Sequence, residues 1–239
     1  MFEPVKAGLG VFLQRFYVGL VPTTTGMHRF VARGFPNCVA WAPTRMIDKA
    51  EEMLAAWHKN DTDQAATRPP QLPAILVAIA KDYTPVSRSF GAQIADPIDV
   101  FIPGDPKHRY FEMRLVQGEV RAQVAIFAHD EPTAKSLAAQ FLLFLDSSSN
   151  RGFKAVFPFA GVDNEFPVQV ETPDSPAMNV DTGSKNMTVL VIDLTLICSI
   201  PLFQAPAEGE PNDGKGVPGT DDPAGYPLVE SVDTTVKEV

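Results

Sequence analysis

The sequence predicts an α/β (α+β) chain, a sheet with helices packed on one face, plus a long loop excursion and an extended tail. Three stretches predict it. Residues 120–128 alternate: Val120, Ala122, Val124, Ile126 and Ala128 fall on one face, Arg121, Gln123 and Ala125 on the other. That is the period of a strand with one face on a core. Residues 133–145 change period, because Ala134, Leu137, Ala138, Phe141, Leu142 and Leu145 follow the i, i+3, i+4, i+7 spacing of an amphipathic helix. Residues 188–200 alternate again. Leu190, Ile192, Leu194, Leu196, Cys198 and Ile200 share one face; Val189, Val191, Asp193, Thr195, Ile197 and Ser199 share the other. This strand is expected in the same sheet as 120–128, under helix 133–145.

The remaining elements follow in chain order. Val5, Leu9, Phe12, Leu13, Phe16 and Tyr17 have near-helical spacing, so a first helix is expected over 4–20, weakened by Gly8, Gly10 and Gly19. Thr23 to Gly26 reads as a loop, and Gly34 and Pro36 break any element over 28–39. Thr44 caps a second helix, Arg45 to Lys59, with Ile47, Ala50, Leu54 and Trp57 as its apolar stripe. After a polar loop over 60–71, Leu72 to Ala80 reads as a short buried strand. Residues 82–108 form a proline-rich excursion in which Val100 to Ile102 is a short strand. His108 to Val116 is expected as the first arm of a hairpin, with Gln117-Gly118-Glu119 as a turn or bulge.

Asp130 is the expected N-cap of the central helix, with Glu131 and Pro132 in its first turn. Strands are expected at Phe153 to Phe157, ended by Pro158 and Gly161, and at Phe166 to Val170. Residues 172–186 read as loop. Residues 1–203 are expected to form a single α+β domain, followed by a flexible acidic tail over 204–239. Leu228 and Val229 are the apolar spot of that tail able to dock.

Composition narrows the function classes. The chain carries a formal net charge of −9, which argues against a mainly electrostatic nucleic-acid binder. Met1-Phe2-Glu3-Pro4 lacks the basic start and apolar run of a signal peptide, and no apolar run approaches the ~20 residues that span a membrane. The expectation is a protein made in cytoplasm, with Cys38 and Cys198 as buried thiols.

No catalytic pattern stands out. The four histidines, His28, His58, His108 and His129, include no i, i+4 pair. There is no GxSxG elbow and no P-loop, and Asp96, Asp99 and Asp105 match no calcium loop. No catalytic residue, cofactor or metal site is therefore expected. The candidate residues are interface residues. Lys81, Arg88, Lys107, Arg109 and Arg114 flank the excursion; a solvated face is the plain reading, contact with an acidic partner or passing DNA the functional one. Leu143 and Phe144 lie off the helical stripe and offer a second contact. Asp193 either faces solvent on the open side of the sheet or meets a basic residue across a subunit interface.

The order of elements resembles the tail-terminator and tail-completion (neck) proteins of tailed bacteriophages. The resembling segments are Trp57-His58-Lys59-Asn60-Asp61, the Pro70 to Ala80 run and the 114–145 strand–helix unit, about half of the chain. The resemblance implies a mixed, mostly antiparallel sheet with helices packed on one face. It also implies a virion structural protein forming a ring, commonly of six copies, at the head-proximal end of the tail. Such a ring caps the tail tube, stops its polymerisation and joins it to the neck or connector protein. In contractile tails it also engages the last sheath ring, and DNA passes through the lumen without specific binding. Three other readings stand beside it: another virion component, such as a baseplate or sheath-initiator protein; a small cytoplasmic enzyme using the excursion as a lid; and a cytoplasmic adaptor unconnected with phage.

Overall fold

A computed structural model describes residues 3–42, 72–80, 84–85, 97–101, 110–159, 162–171, 176–180 and 187–203. The helices are α1 (Glu3–Val18), α2 (Thr25–Arg33) and α3 (Glu131–Asp146), with 3-10 turns at Phe35–Asn37 and Ser148–Asn150. The strands are β1 (Val39–Trp41), β2 (Ala74–Ile79), β3 (Thr84–Pro85), β4 (Ile98–Phe101), β5 (Tyr110–Ala128), β6 (Gly152–Phe159), β7 (Val162–Val170), β8 (Met178–Val180) and β9 (Thr188–Phe203). They form one sheet in the order β1-β2-β5-β9-β7-β6, with β3 and β4 also paired to β5 and β8 paired to β9. β1 and β2 run parallel, while β2–β5, β3–β5, β4–β5, β7–β9 and β8–β9 are antiparallel. Among the described residues the fold is thus mixed α+β, with a mostly antiparallel sheet and three helices packed against it.

The chain divides into two compact units. The first comprises Met1–Val86, Gln117–Ala155 and Phe166–Cys198 and holds all three helices. Its centre is the β2–β5 pair. Ile75 lies opposite Ile126 and Val77 opposite Val124 on one face; Ala74 lies opposite Phe127 and Leu76 opposite Ala125 on the other. All eight side chains are buried. Sequence alternation gave β5 one polar face, yet Gln123 and Ala125 are buried as well. The reason is a second apolar cluster, Leu76, Ala78, Ala125, Phe127, Val189 and Val191, with Ala40, Leu72, Val180 and Met187 packed around it.

The other face carries the helices. Val5, Leu9, Phe12, Leu13 and Phe16 of α1 are buried, as their spacing predicted. Phe16 meets Phe141 of α3 edge to face, with ring centroids 4.9 Å apart. Helix α3 starts as expected: Asp130 has extended backbone angles, and its carboxylate accepts from the Thr133 amide at 2.8 Å. An Asp130→Ala variant is expected to lose about 1 kcal/mol, read as a lower denaturation midpoint with an unchanged slope.

Four local expectations need correction. Helix α2 occupies residues read as loop and broken structure. Thr24 caps it, its Oγ1 accepting from the Met27 amide at 3.1 Å, and that hydroxyl also pairs with Thr133 Oγ1 at 2.8 Å. The helix buries only Met27 and Phe30, so its periodic signal is one turn long. The second correction concerns β5, which runs unbroken for 19 residues where a hairpin was expected. Gly118 tolerates a turn but does not enforce one, and here it lies opposite Pro85 in the ladder. Third, β8 falls inside the expected 172–186 loop. Fourth, Pro158 lies within β6 instead of ending it; β6 closes the strand order, and a proline is tolerated on such an edge. The expected helix 45–59, most of the 82–108 excursion and the 204–239 tail lie outside the described residues.

The second unit comprises Ser87–Val116, Val156–Glu165 and Ser199–Val239. Its described core is aromatic. The rings of Phe159 and Phe203 stack 4.2 Å apart and nearly parallel, and Phe111 meets both edge on, at 4.9 and 5.5 Å. The Asn164 side-chain amide donates to the Phe157 and Val162 carbonyls, both at 3.2 Å, which ties β6 to β7. Strand β4 pairs with the first residues of β5, Ile98 opposite Met113 and Phe101 opposite Tyr110. This is one residue or two from the Val100–Ile102 strand that the sequence predicted.

Candidate interaction surfaces

Titratable and nucleophilic groups decide what chemistry is available. Among the described residues no group of three or more His, Cys, Asp or Glu side chains is arranged to hold a metal. Among them, too, no helix is long and apolar enough to cross a membrane. His28 and His129 are exposed on the surface, while His58 and His108 lie outside the described residues.

Both cysteines are free and buried. Cys38 Sγ donates to the Phe30 carbonyl at 3.0 Å, and burial raises its pKa, partly offset by the nearby Arg33. Burial pushes the Cys198 thiol up to about 12. The thiolate is the reactive form, so both side chains are expected to resist a thiol reagent at mildly alkaline pH. Labelling should follow the rate of global or local opening and become fast in denaturant. Rapid labelling of the native protein at Cys198 would contradict this packing.

The predicted interface residues separate. Leu143 is 71% exposed. Its neighbour Phe144 is not a free contact: its ring lies 5.1 Å from Phe12 and 5.7 Å from Phe16, and it stacks on Phe141 at 6.5 Å. The broad apolar side at the end of α3 therefore faces α1. Asp193 is exposed on the β9 face that also carries the buried Val191 and Ile197. Arg114 is exposed on β5. Lys81, Arg88, Lys107, Arg109, Leu228 and Val229 lie outside the described residues.

Two surfaces escaped the sequence reading. The first belongs to the helices of the first unit. Val11 and Val18 sit two turns apart on one side of α1, 61% and 79% exposed, with Arg15 between them. Arg15 donates to the Gly152 carbonyl at 3.1 Å and lies 5.4 Å from the Phe12 ring centroid, which fixes its direction. Gln140 of α3 holds the Val21 backbone on both sides, accepting from its amide at 2.9 Å and donating to its carbonyl at 2.8 Å. Leu143 is one turn along from Gln140, so exposed Val21 and Leu143 flank one seam. The signal was present: valines at positions 11 and 18 fall outside the buried stripe of a helix.

The second surface belongs to the second unit. On β4, Ile98 is 52% and Phe101 58% exposed. Phe101 shares a sheet face with Asp99, Tyr110 and Glu112 by register. The Phe101 and Tyr110 rings lie 5.8 Å apart. Asp99 stands directly opposite Glu112. A pair of like charges in that position costs stability in the sheet. This arrangement was hidden because the sequence does not give the β4–β5 register. No protein-family model matches the chain, and no curated protein matches it in sequence.

Proposed function

We propose that the protein is a structural virion component that assembles into a ring at the head-proximal end of a phage tail. There it caps the tail tube, ends its polymerisation and joins it to the neck. The observation that carries self-assembly is the exposure of aliphatic side chains on the α1–α3 surface, with Val18 and Leu143 both more than two-thirds exposed. Large apolar side chains grouped on a surface mark contact sites. The mixed, mostly antiparallel α+β fold is also the class that the tail-terminator resemblance implied. A net charge of −9 suits a ring whose wall repels passing DNA instead of binding it.

The test is the native mass of the purified chain over a concentration series, alone and with isolated tail tubes. A closed oligomer, or a monomer that becomes a ring on tube ends, is the expected outcome. A chain indifferent to tube ends at every concentration would overturn the placement. Labelling of the assembled particle separates the head-proximal end from the baseplate.

A further inference from the structure

We infer that the β4–β5 arm of one copy docks on the α1–α3 stripe of the next copy, in a head-to-tail contact. This rests on the ring reading and deepens it by naming the partner of each surface. The arm presents Phe101 and Tyr110 beside Asp99 and Glu112. The stripe presents Val11 and Val18 on either side of Arg15 on α1, with Val21 and Leu143 at the Gln140 seam. The two are complementary in both respects. An aromatic pair has aliphatic side chains to cover, and two opposed carboxylates have a guanidinium to meet. The guanidinium carries five N–H donors in a planar fork that fits carboxylates, and Gly152 accepts one. A basic partner also relieves the repulsion that Asp99 and Glu112 impose on each other across the ladder.

The two surfaces are unlike each other, one a strand arm and one a helical stripe. In a ring of more than two copies a contact between them is heterologous: each copy uses its arm toward one neighbour and its stripe toward the other, whereas a reciprocal exchange would stop at a dimer. Head-to-tail contacts are what a closed ring requires, and the surfaces themselves supply the two ends.

The experiment uses the full chain and two exposed substitutions, Phe101→Glu on the arm and Leu143→Glu on the stripe, with Val18→Glu as a second stripe variant. Circular dichroism and thermal melting confirm that each still folds. Sedimentation from micromolar to millimolar concentration is expected to show the native chain associating and each variant weakened at least about thirtyfold, as for a central contact residue. Mixing the arm variant with the stripe variant is expected to give a one-to-one heterodimer that grows no further, since one intact arm and one intact stripe remain in the mixture. Asp99→Lys should also weaken association, and pairing it with Arg15→Glu should recover part of it.

A native chain that stays monomeric throughout, on tube ends as well as alone, would overturn the contact, as would variants that associate normally or a mixture that stays monomeric. The tail placement fails differently. Normal head-to-tail assembly with no affinity for tube ends removes the placement and keeps the contact. Tube binding that survives in both variants removes the contact and keeps the placement.

Discussion

Replacing Phe141 with alanine is expected to destabilise the helical layer by about 3–5 kcal/mol, the cost of removing a fully buried aromatic ring. Phe141 is completely buried on the core side of α3. Its ring meets Phe16 edge to face, and Phe144 stacks beside it. Phe144 in turn leans on Phe12, and Phe12 on Phe153 of β6. Removing Phe141 therefore opens a cavity at the centre of an aromatic seam joining α1, α3 and the sheet. Neighbouring rings are rigid and refill a cavity poorly, which puts the expected loss toward the upper part of that range. The internal control is Leu143→Ala, two residues along the same helix. Leu143 is exposed, so its truncation should stay within about ±0.5 kcal/mol. Urea unfolding followed by helical signal distinguishes the two. A loss at Phe141 no larger than that at Leu143 would mean that α3 does not pack on α1 as described.

The contrast between those two residues shows how far the sequence carries. Phe141 and Leu143 were separable by helical spacing alone, because a 3.6-residue period assigns them to opposite sides. The same reasoning placed α1, α3 and β9, whose periodic runs are long, while the short β2 was read from its length and β-branched content. It failed on α2, where nine residues bury two side chains and the deciding contact is a hydroxyl pair between Thr24 and Thr133, 109 residues apart. Phe144, read as widening the apolar side of the helix end, shows a related limit. Spacing says which side of a helix a residue occupies, but the partner helix decides how wide the buried side is. The arm was the least legible part. Asp99 and Glu112 face each other only once the β4–β5 register is known, and register depends on pairing between distant residues. Of the basic residues around the excursion, whose plain reading in sequence was a solvated face, only Arg114 falls within the described residues, whereas the exposed valines of α1 gave a signal by position and none by residue type.

Two glycines in α1 are expected to respond to alanine with opposite signs. In an exposed helix, glycine to alanine gains up to about 1 kcal/mol from backbone propensity. Gly10→Ala is expected to show that gain, because the nearest atom to its new methyl group is 3.9 Å away, on the Trp41 ring. Gly8→Ala is expected to do the opposite. A methyl group at Gly8 would stand 2.5 Å from the Lys154 carbonyl oxygen and 2.8 Å from the Phe153 ring. The first of these atoms is backbone in β6 and cannot swing away, so α1 must lift from the sheet edge. Overpacking of this kind costs about 1–3 kcal/mol, which exceeds the propensity gain over most of that range. Movement of α1 would also disturb Phe12, which touches Phe153 and Phe144, so part of the aromatic seam loosens with it. Thermal melting of the two variants side by side reads the difference: Gly10→Ala should melt above the native chain and Gly8→Ala below it. If both variants melted higher, α1 would not be seated on β6, and Gly8 would be an ordinary exposed helical glycine. If both melted lower, the space beside Trp41 would be narrower than the structure shows.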